Sequence, residues 1–295
     1  MSRDDETPWL DRELLRRFPL PEHPEDSSKE DRGRLLVIAG SRELQGAAYL
    51  AGVAALRAGA GKLQIATAAS IALHLGAAIP EARVIAHAET EDGCVDPESI
   101  GPIVKWAGSA QAVMIGCGMQ DGPPLEKLLD ALLECGADVP LVVDAAALGC
   151  LAPRAETLRA WRGGAVILPH AGEMAKLLDR TREAVEADPA DAARTAAERF
   201  GVVALVKGPV SHIVAPDGRA FRFKGGGVGL ATSGSGDTLA GIVGGFCARG
   251  ADALTAALWG VYTHGEAGRI LSEKVGRVGF LAREILDLVP QIVND

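Results

Sequence analysis

Aromatic side chains are scarce in this chain: Phe, Trp and Tyr together supply only 4% of 295 residues. A core must therefore be assembled from Ala, Val, Leu and Ile, and a hydrophobic share of 48% is ample for one. Global disorder is excluded. Cysteine is also sparse. The five thiols, Cys94, Cys117, Cys135, Cys150 and Cys247, are odd in number, widely separated and form no CxxC pair. A disulfide framework or zinc site is not expected, and a reducing cytosol fits better. No run approaches the roughly 18 consecutive apolar residues of a bilayer-crossing helix. The opening MSRDDETPWLDRELLRRF has no apolar centre of the signal-peptide kind. A soluble, cytoplasmic protein is the expectation. Positive charge is in deficit too: 30 Lys and Arg face 39 Asp and Glu, giving a net charge of −9 and a pI near 5.3. That balance argues against nonspecific binding to nucleic acid or to an anionic membrane.

Length alone suggests two domains at roughly 150 residues each, although one α/β domain can reach about 250. PLPEHPEDSSKEDRG is rich in Pro and charge, so residues 1–33 read as an extended or flexible arm. The pattern changes at residue 34. Short apolar runs at 34–39, 62–67, 83–88, 112–116, 141–144, 165–169 and 202–207 alternate with helix-length segments such as 46–58, 125–135 and 191–200. Continuous apolar strands between helices predict a parallel sheet covered on both faces. Asp217–Gly218, between 211–216 and 219–223, predicts a two-residue hairpin. Residues 234 to about 272 read as two helices with no strand between them, and a last helix is expected to stop at Pro290. With no repeat and no later linker, the expectation is one domain over 34–295 preceded by the arm.

What the chain has in excess is glycine, 36 residues clustered in turns rather than spaced periodically. The densest cluster is ATSGSGDTLAGIVGGFCARG, residues 231–250. Ser233, Gly234, Ser235 and Gly236 sit where an apolar helix begins, and free N–H groups there make a ready anion site. Asp237, in or just before the first turn, is aimed at the same space. That pairing suits a phosphoryl group arriving beside a hydroxyl that must lose its proton. A helix cap next to a glycine turn is the other reading, and local spacing leaves both open. The Walker pattern is not met.

Here the chain resembles the ribokinase-like kinases through Gly234-Ser235-Gly236-Asp237-Thr-Leu-Ala-Gly. Further segments narrow the resemblance to the NAD(P)H-hydrate dehydratases, the YjeF C-terminal, carbohydrate-kinase-like group. These are LLVIAGS with Gly46–Ala47 and LRAGAGKLQIAT (35–67), IGCG (115–118), LPHAGEMAKLL (168–178) and VKGPVSHIV (206–214). VYTHGEAG (261–268) and GFLAREILDLVP (279–290) close the series. The resemblance implies a three-layer α/β/α sandwich with a largely parallel central sheet. It also implies a repair reaction: the hydroxyl of hydrated NADH or NADPH is phosphorylated from ADP or ATP with Mg²⁺, and phosphate is then eliminated.

By resemblance, Asp237 is the general base on the hydrate hydroxyl and touches substrate, as do Ala47, Gly118 and His170. Gly234, Ser235 and Gly236 meet the nucleotide, together with Lys207, Gly208, Pro209, Val210 and Ser211 of the strand-end loop. Glu173 would help hold Mg²⁺ through water. Local readings stand beside these: Lys207 as a solvated strand-end lysine, and PHAGE as a turn opening a helix. His264 reads as a buried packing or hydrogen-bonding histidine, while Asp144 ends a strand where α/β sheets place ligand groups and by resemblance matches a family acid. A homotetramer or other homo-oligomer is implied, and a separate epimerase would interconvert the hydrate epimers, the arm being too short to hold one.

The chain departs from the family pattern at several points. Gly116-Cys-Gly-Met-Gln120 stands for Gly-Pro-Gly-Leu-Gly, and Ala146 stands where an acid is usual. Leu168 precedes Pro-His in place of Asn or Thr, and Gly227–Val228 replaces Asn-Pro. These changes fall on the substrate wall and motivate two alternatives: a small-molecule kinase of the same fold, and a nucleotide sensor without turnover.

Overall fold

The computed structural model describes residues 7–294. Nine strands form one sheet: β1 (Arg34–Ile38), β2 (Lys62–Ala68), β3 (Ala82–His87), β4 (Ala112–Ile115), β5 (Leu141–Val143), β6 (Ala165–Ile167), β7 (Val203–Val206), β8 (Ser211–Val214) and β9 (Ala220–Phe223). Their order is β3-β2-β1-β4-β5-β6-β7-β8-β9. Pairing is parallel through β7, and only β8 runs against its neighbours.

The continuous apolar runs are explained by burial on both faces. Along β1, Leu35 and Val37 join one core and Leu36 and Ile38 the other. Helices Gln45–Arg57, Ser235–Ala248, Ala253–Lys274 and Ala282–Asn294 cover the first face. Helices Ile100–Ala107, Pro123–Glu134, Ala171–Leu178 and Pro189–Phe200 cover the second. This is the three-layer α/β/α sandwich that the sequence predicts.

Small residues stand in for the missing aromatics. A Cβ at Gly241 would lie 2.2 Å from Ala51 O, and one at Gly245 would lie 2.6 Å from Ala55 O. Helices Gln45–Arg57 and Ser235–Ala248 therefore touch backbone to backbone, a contact that any side chain at these two positions would break.

Three features differ from expectation in detail. The hairpin loop has three residues, not two: Ala215 N–H donates to Arg219 O (2.9 Å) and Gly218 N–H to Ala215 O (3.0 Å), with Gly218 at φ +88. That is a turn closed by a left-handed glycine, the commonest three-residue solution. The last helix does not stop at Pro290 but runs from Ala282 to Asn294 with the proline inside it. Val289 and Ile292 are buried on either side, and Ile292 O accepts from Arg12 Nη1 (2.8 Å). Tertiary burial holds the turn that the missing N–H weakens.

The lead-in segment, over its described part, is fastened to its own chain. Leu10 and Leu15 are buried, and Trp9 bridges to Arg222 of β9. Phe18 packs edge-on against Phe221 at 5.4 Å, and Phe18 O accepts from Trp259 Nε1 (2.7 Å).

Candidate active site

The candidate residues gather at the carboxyl edge of the sheet, where open α/β folds place ligands. Asp144 follows β5, His170 follows β6 and Lys207 follows β7. Lys207 N–H donates to Pro169 O (2.8 Å), and Lys207 bridges to His170, tying two of these loops together. Beside them, the turn after β4 presses on the turn after β5. A Cβ at Gly116 (φ +122) would lie 1.9 Å from Asp144 O, so only glycine fits there. Across that contact, Ala145 holds φ 51, ψ −129, a conformation that L-residues rarely adopt. Strain of this kind, about 1–3 kcal/mol, persists where the surroundings over-determine it, most often at functional sites.

Asp144 is 2% exposed and accepts from Lys207 Nζ at 2.8 Å. Burial pushes its carboxyl up to about 6 although Lys207 opposes the shift, and the nearby charge of Glu173 adds to it. Burial alone would lower the Lys207 ammonium, but the charges of Asp144 and Glu173 outweigh it and hold the group above its ordinary value. The lysine is therefore firmly cationic.

Helix Ser235–Ala248 points its N-terminus at this pair. A Cβ at Gly236 would lie 3.4 Å from Lys207 Nζ and 3.8 Å from Asp144 Oδ2. The N-cap, Gly234, is left-handed (φ 87) and makes no side-chain cap. Ser235 N–H donates to Thr232 O and Thr238 N–H to Gly234 O. The N–H groups of Gly236 and Asp237 lie between them and, among the described residues, find no backbone acceptor. Two uncapped amides beside an ammonium are the groups that an anion such as phosphate favours.

Asp237 lies half-buried in that first turn. Burial raises its pKa, the Cys117 thiol and the Lys207 charge pull it down, and Glu173 pushes it up. Cys117 is fully buried, and burial, then the charges of Asp144 and Asp237, push its thiol well above the ordinary value. Below the turn, Ser235 Oγ and His264 Nε2 lie 3.0 Å apart, both buried, and burial drives His264 down to about 4, so it is neutral.

The remaining predicted residues fall around this centre. His170 caps helix Ala171–Leu178: its Nδ1 accepts from Gly172 N–H (3.0 Å) and Glu173 N–H (3.2 Å), while Glu173 Oε2 accepts from His170 N–H (2.8 Å). The cap reading of PHAGE thus describes its local geometry, and the His170 side chain remains 61% exposed. Gly208 and Pro209 are exposed, Val210 is half-buried, and Ser211 is buried at the start of β8. Gly118 (φ +65) and Ala47 are neighbours: a Cβ on the glycine would lie 2.7 Å from Ala47 Cβ and 2.5 Å from Leu44 O.

Among the described residues no group of three or more His, Cys, Asp or Glu is placed to hold a metal by itself. Yet the charge of Glu173 bears on both Asp144 and Asp237, and all three carboxylates are coupled to a single lysine. That acid excess suits a hard cation that brings phosphate oxygens and water as its other ligands, which is how Mg²⁺ binds with nucleotides. Sequence reasoning had no signal for Cys117; it placed Asp144 at a strand end suited to ligand groups and read His264 as a buried packing or hydrogen-bonding histidine, and both adjoin the site.

Uncapped amides, a strand-end lysine and a half-buried acid at one sheet edge define a phosphate-handling α/β enzyme. Comparison with known proteins gives the family. The model of the NAD(P)H-hydrate dehydratase family matches residues 35–291, and the chain belongs to that family. The ADP-dependent (S)-NAD(P)H-hydrate dehydratase of Xanthomonas campestris is 47% identical over 281 residues, covering 95% of this chain and 94% of that protein. The ADP/ATP-dependent NAD(P)H-hydrate dehydratase of Bacillus subtilis, co-crystallized with ATP and Mg²⁺, superposes with a TM-score of 0.83 at 29% identity, covering 98% of each chain. A ribokinase-like superfamily protein of Enterococcus faecalis shares the fold, with a TM-score of 0.82 at 24% identity over 97% of this chain and 95% of that one.

Proposed function

We propose that this chain is a lyase that returns hydrated NADH or NADPH to the usable cofactor, consuming ADP or ATP. The observation that carries the reading is Asp237, half-buried in the first turn of an uncapped helix that faces Lys207. Asp237 takes the proton of the hydrate hydroxyl as that oxygen attacks the terminal phosphoryl of the nucleotide, whose bridging P–O bond breaks to release AMP from ADP or ADP from ATP. The amides of Gly236 and Asp237, with Lys207, face the negative charge that builds on the transferring group. The new phosphate ester then leaves as inorganic phosphate, its C–O bond breaking as the ring loses a proton and the double bond returns. Bound Mg²⁺ would neutralise the nucleotide's phosphate charge, and Glu173 would hold it through water.

Gly234, Ser235 and the segment Lys207–Ser211 line the nucleotide side in this reading. Ala47, Gly118 and His170 line the hydrate side. We take residues 34–295 as one catalytic domain, with 1–33 as its lead-in. Among the described residues no helix is long and apolar enough to cross a membrane, and the acidic balance fits work in the cytoplasm. The relative's name specifies the (S) hydrate, so an epimerase supplying that form from the other epimer is the natural partner. Assembly as a homotetramer belongs to the same reading.

The test is to incubate the protein with hydrated NADH, Mg²⁺ and either nucleotide, following dihydronicotinamide absorbance and phosphate release together. Both should rise in step. Accumulation of a stable phosphorylated product would instead make the enzyme a kinase, and binding without either signal would make it a sensor.

A further inference from the structure

Helix Ser235–Ala248 has fourteen residues and is about 21 Å long, and its far end carries a second concentration of charge. Arg249 is its C-cap. With Arg32 and His23 of the lead-in segment and Arg57 of helix Gln45–Arg57, it lines a cavity of about 420 Å³. Among the described residues, Glu22 is the one carboxylate of that lining.

Arg249 is only partly satisfied by the protein. Its Nη1 donates to Ala58 O (3.3 Å) and its Nη2 to Pro21 O (3.0 Å). Among the described residues, neither its Nε nor Nε2 of His23 has a partner, although both atoms are buried. Arg32 reaches only a long contact to Gly59 O, 3.4 Å from Nε. Arg57 pairs with Asp287 at 2.9 Å on an exposed rim. Like charges are thus held together with donors unused, an arrangement that costs energy unless an anion joins it.

We propose that this cavity is a second anion site, separate from the Asp237 centre, which takes a phosphate-class dianion: free phosphate or a phosphomonoester. The guanidinium fork matches phosphate oxygens two at a time, and the volume admits a phosphate with a small organic substituent. The unpaired His23 and Arg249 donors would close on the remaining oxygens. Consistent with this geometry, burial and then the Arg249 and Arg32 charges push His23 down against the opposing pull of Asp31. Burial and then Arg32 push Arg249 down. Because the cavity joins the lead-in to three helices, occupancy fastens that segment to the domain.

The experiment titrates inorganic phosphate into the full chain at fixed ionic strength, reading the melting temperature and the calorimetric Kd. Wild type is compared with Arg32→Gln/Arg57→Gln, two exposed rim positions whose loss spares the core, and with Lys207→Met. The expected result is stabilisation that survives in Lys207→Met and weakens about tenfold or more in the double arginine variant, whose dehydratase rate stays unchanged. No stabilisation, equal stabilisation in the double variant, or loss in Lys207→Met would each overturn the proposal. Glycerol 3-phosphate then separates the two sources. Tighter arginine-dependent binding than inorganic phosphate identifies a phosphorylated metabolite, and weaker binding identifies free phosphate.

Discussion

The two ends of helix Ser235–Ala248 solve opposite problems. At its start, amides are left uncapped and three carboxylates crowd one ammonium. At its finish, Arg249, Arg32 and Arg57 gather around one cavity, and Arg249 and Arg32 donate to the carbonyls of neighbouring turns. Between the ends, the helix is fixed by glycine-to-backbone contact with Gln45–Arg57. The start is left unsatisfied in several ways at once: a strained Ala145, a neutral buried His264 and an Asp144 raised to about 6. Local rules are broken together where a protein does chemistry, so the contrast marks the start as the reactive end.

The largest test of that contrast is Asp237→Asn. Turnover should fall by about 10²–10⁴, the usual worth of a positioned base, with nucleotide binding by calorimetry largely kept. In the wild type, burial raises this carboxyl, so kcat/KM should fall on the acid side through a midpoint above the ordinary aspartate value of about 3.9. A full rate in the variant, or an acid limb at the ordinary value, would remove Asp237 from the base role.

Next in size is Lys207→Met, which strands Asp144 in the interior. Breaking one half of a buried pair costs about 3–5 kcal/mol, measurable as a lower urea midpoint, and nucleotide affinity should drop with it. Adding Asp144→Asn should restore much of the stability and none of the activity.

His264→Gln sharpens the comparison through pH. The folded pKa, about 4, lies below the ordinary value of 6.5. As pH falls through that window the unfolded chain takes up a proton that the folded one refuses, so folded stability is lost. The contribution is about 3 kcal/mol between pH 7 and 4. Asp144, whose folded value is raised, works in the opposite sense over roughly the same range. The informative quantity is therefore the difference between wild type and variant in urea unfolding: their stability gap should shrink on acidification.

Smallest is Ala145→Gly. Relief of the left-handed strain should raise stability by about 1 kcal/mol, seen in the melting temperature. The same change loosens the turn that aims Asp144 at Lys207, so the rate should fall. A rise in both would show that the strain serves no purpose.

The layers and the sheet were readable because buried parallel strands are continuous apolar runs, and β1 and β4 to β7 carry that mark most clearly. The glycine turn opening helix Ser235–Ala248 was readable, but local spacing left it open between an anion site and a simple cap, and the resemblance alone favoured the first. What escaped was set by tertiary contact. Pro290 continues a helix because Val289 and Ile292 have a core to enter, and a lone proline carries no record of that. Cys117 acts on Asp237 across 120 residues of sequence, and no spacing rule reaches so far. His264 and Asp144 showed correct local positions, a helix interior and a strand end, but their partners Ser235 and Lys207 come from other elements.

The backbone seam at Gly241 and Gly245 also bears on motion. The helix that begins at the uncapped amides and the one that begins beside Ala47 have no side-chain layer between them to slide on, so they tilt as a single body. A movement of one helix therefore carries the other with it, and the turn at Gly236 stays in step with the one at Ala47.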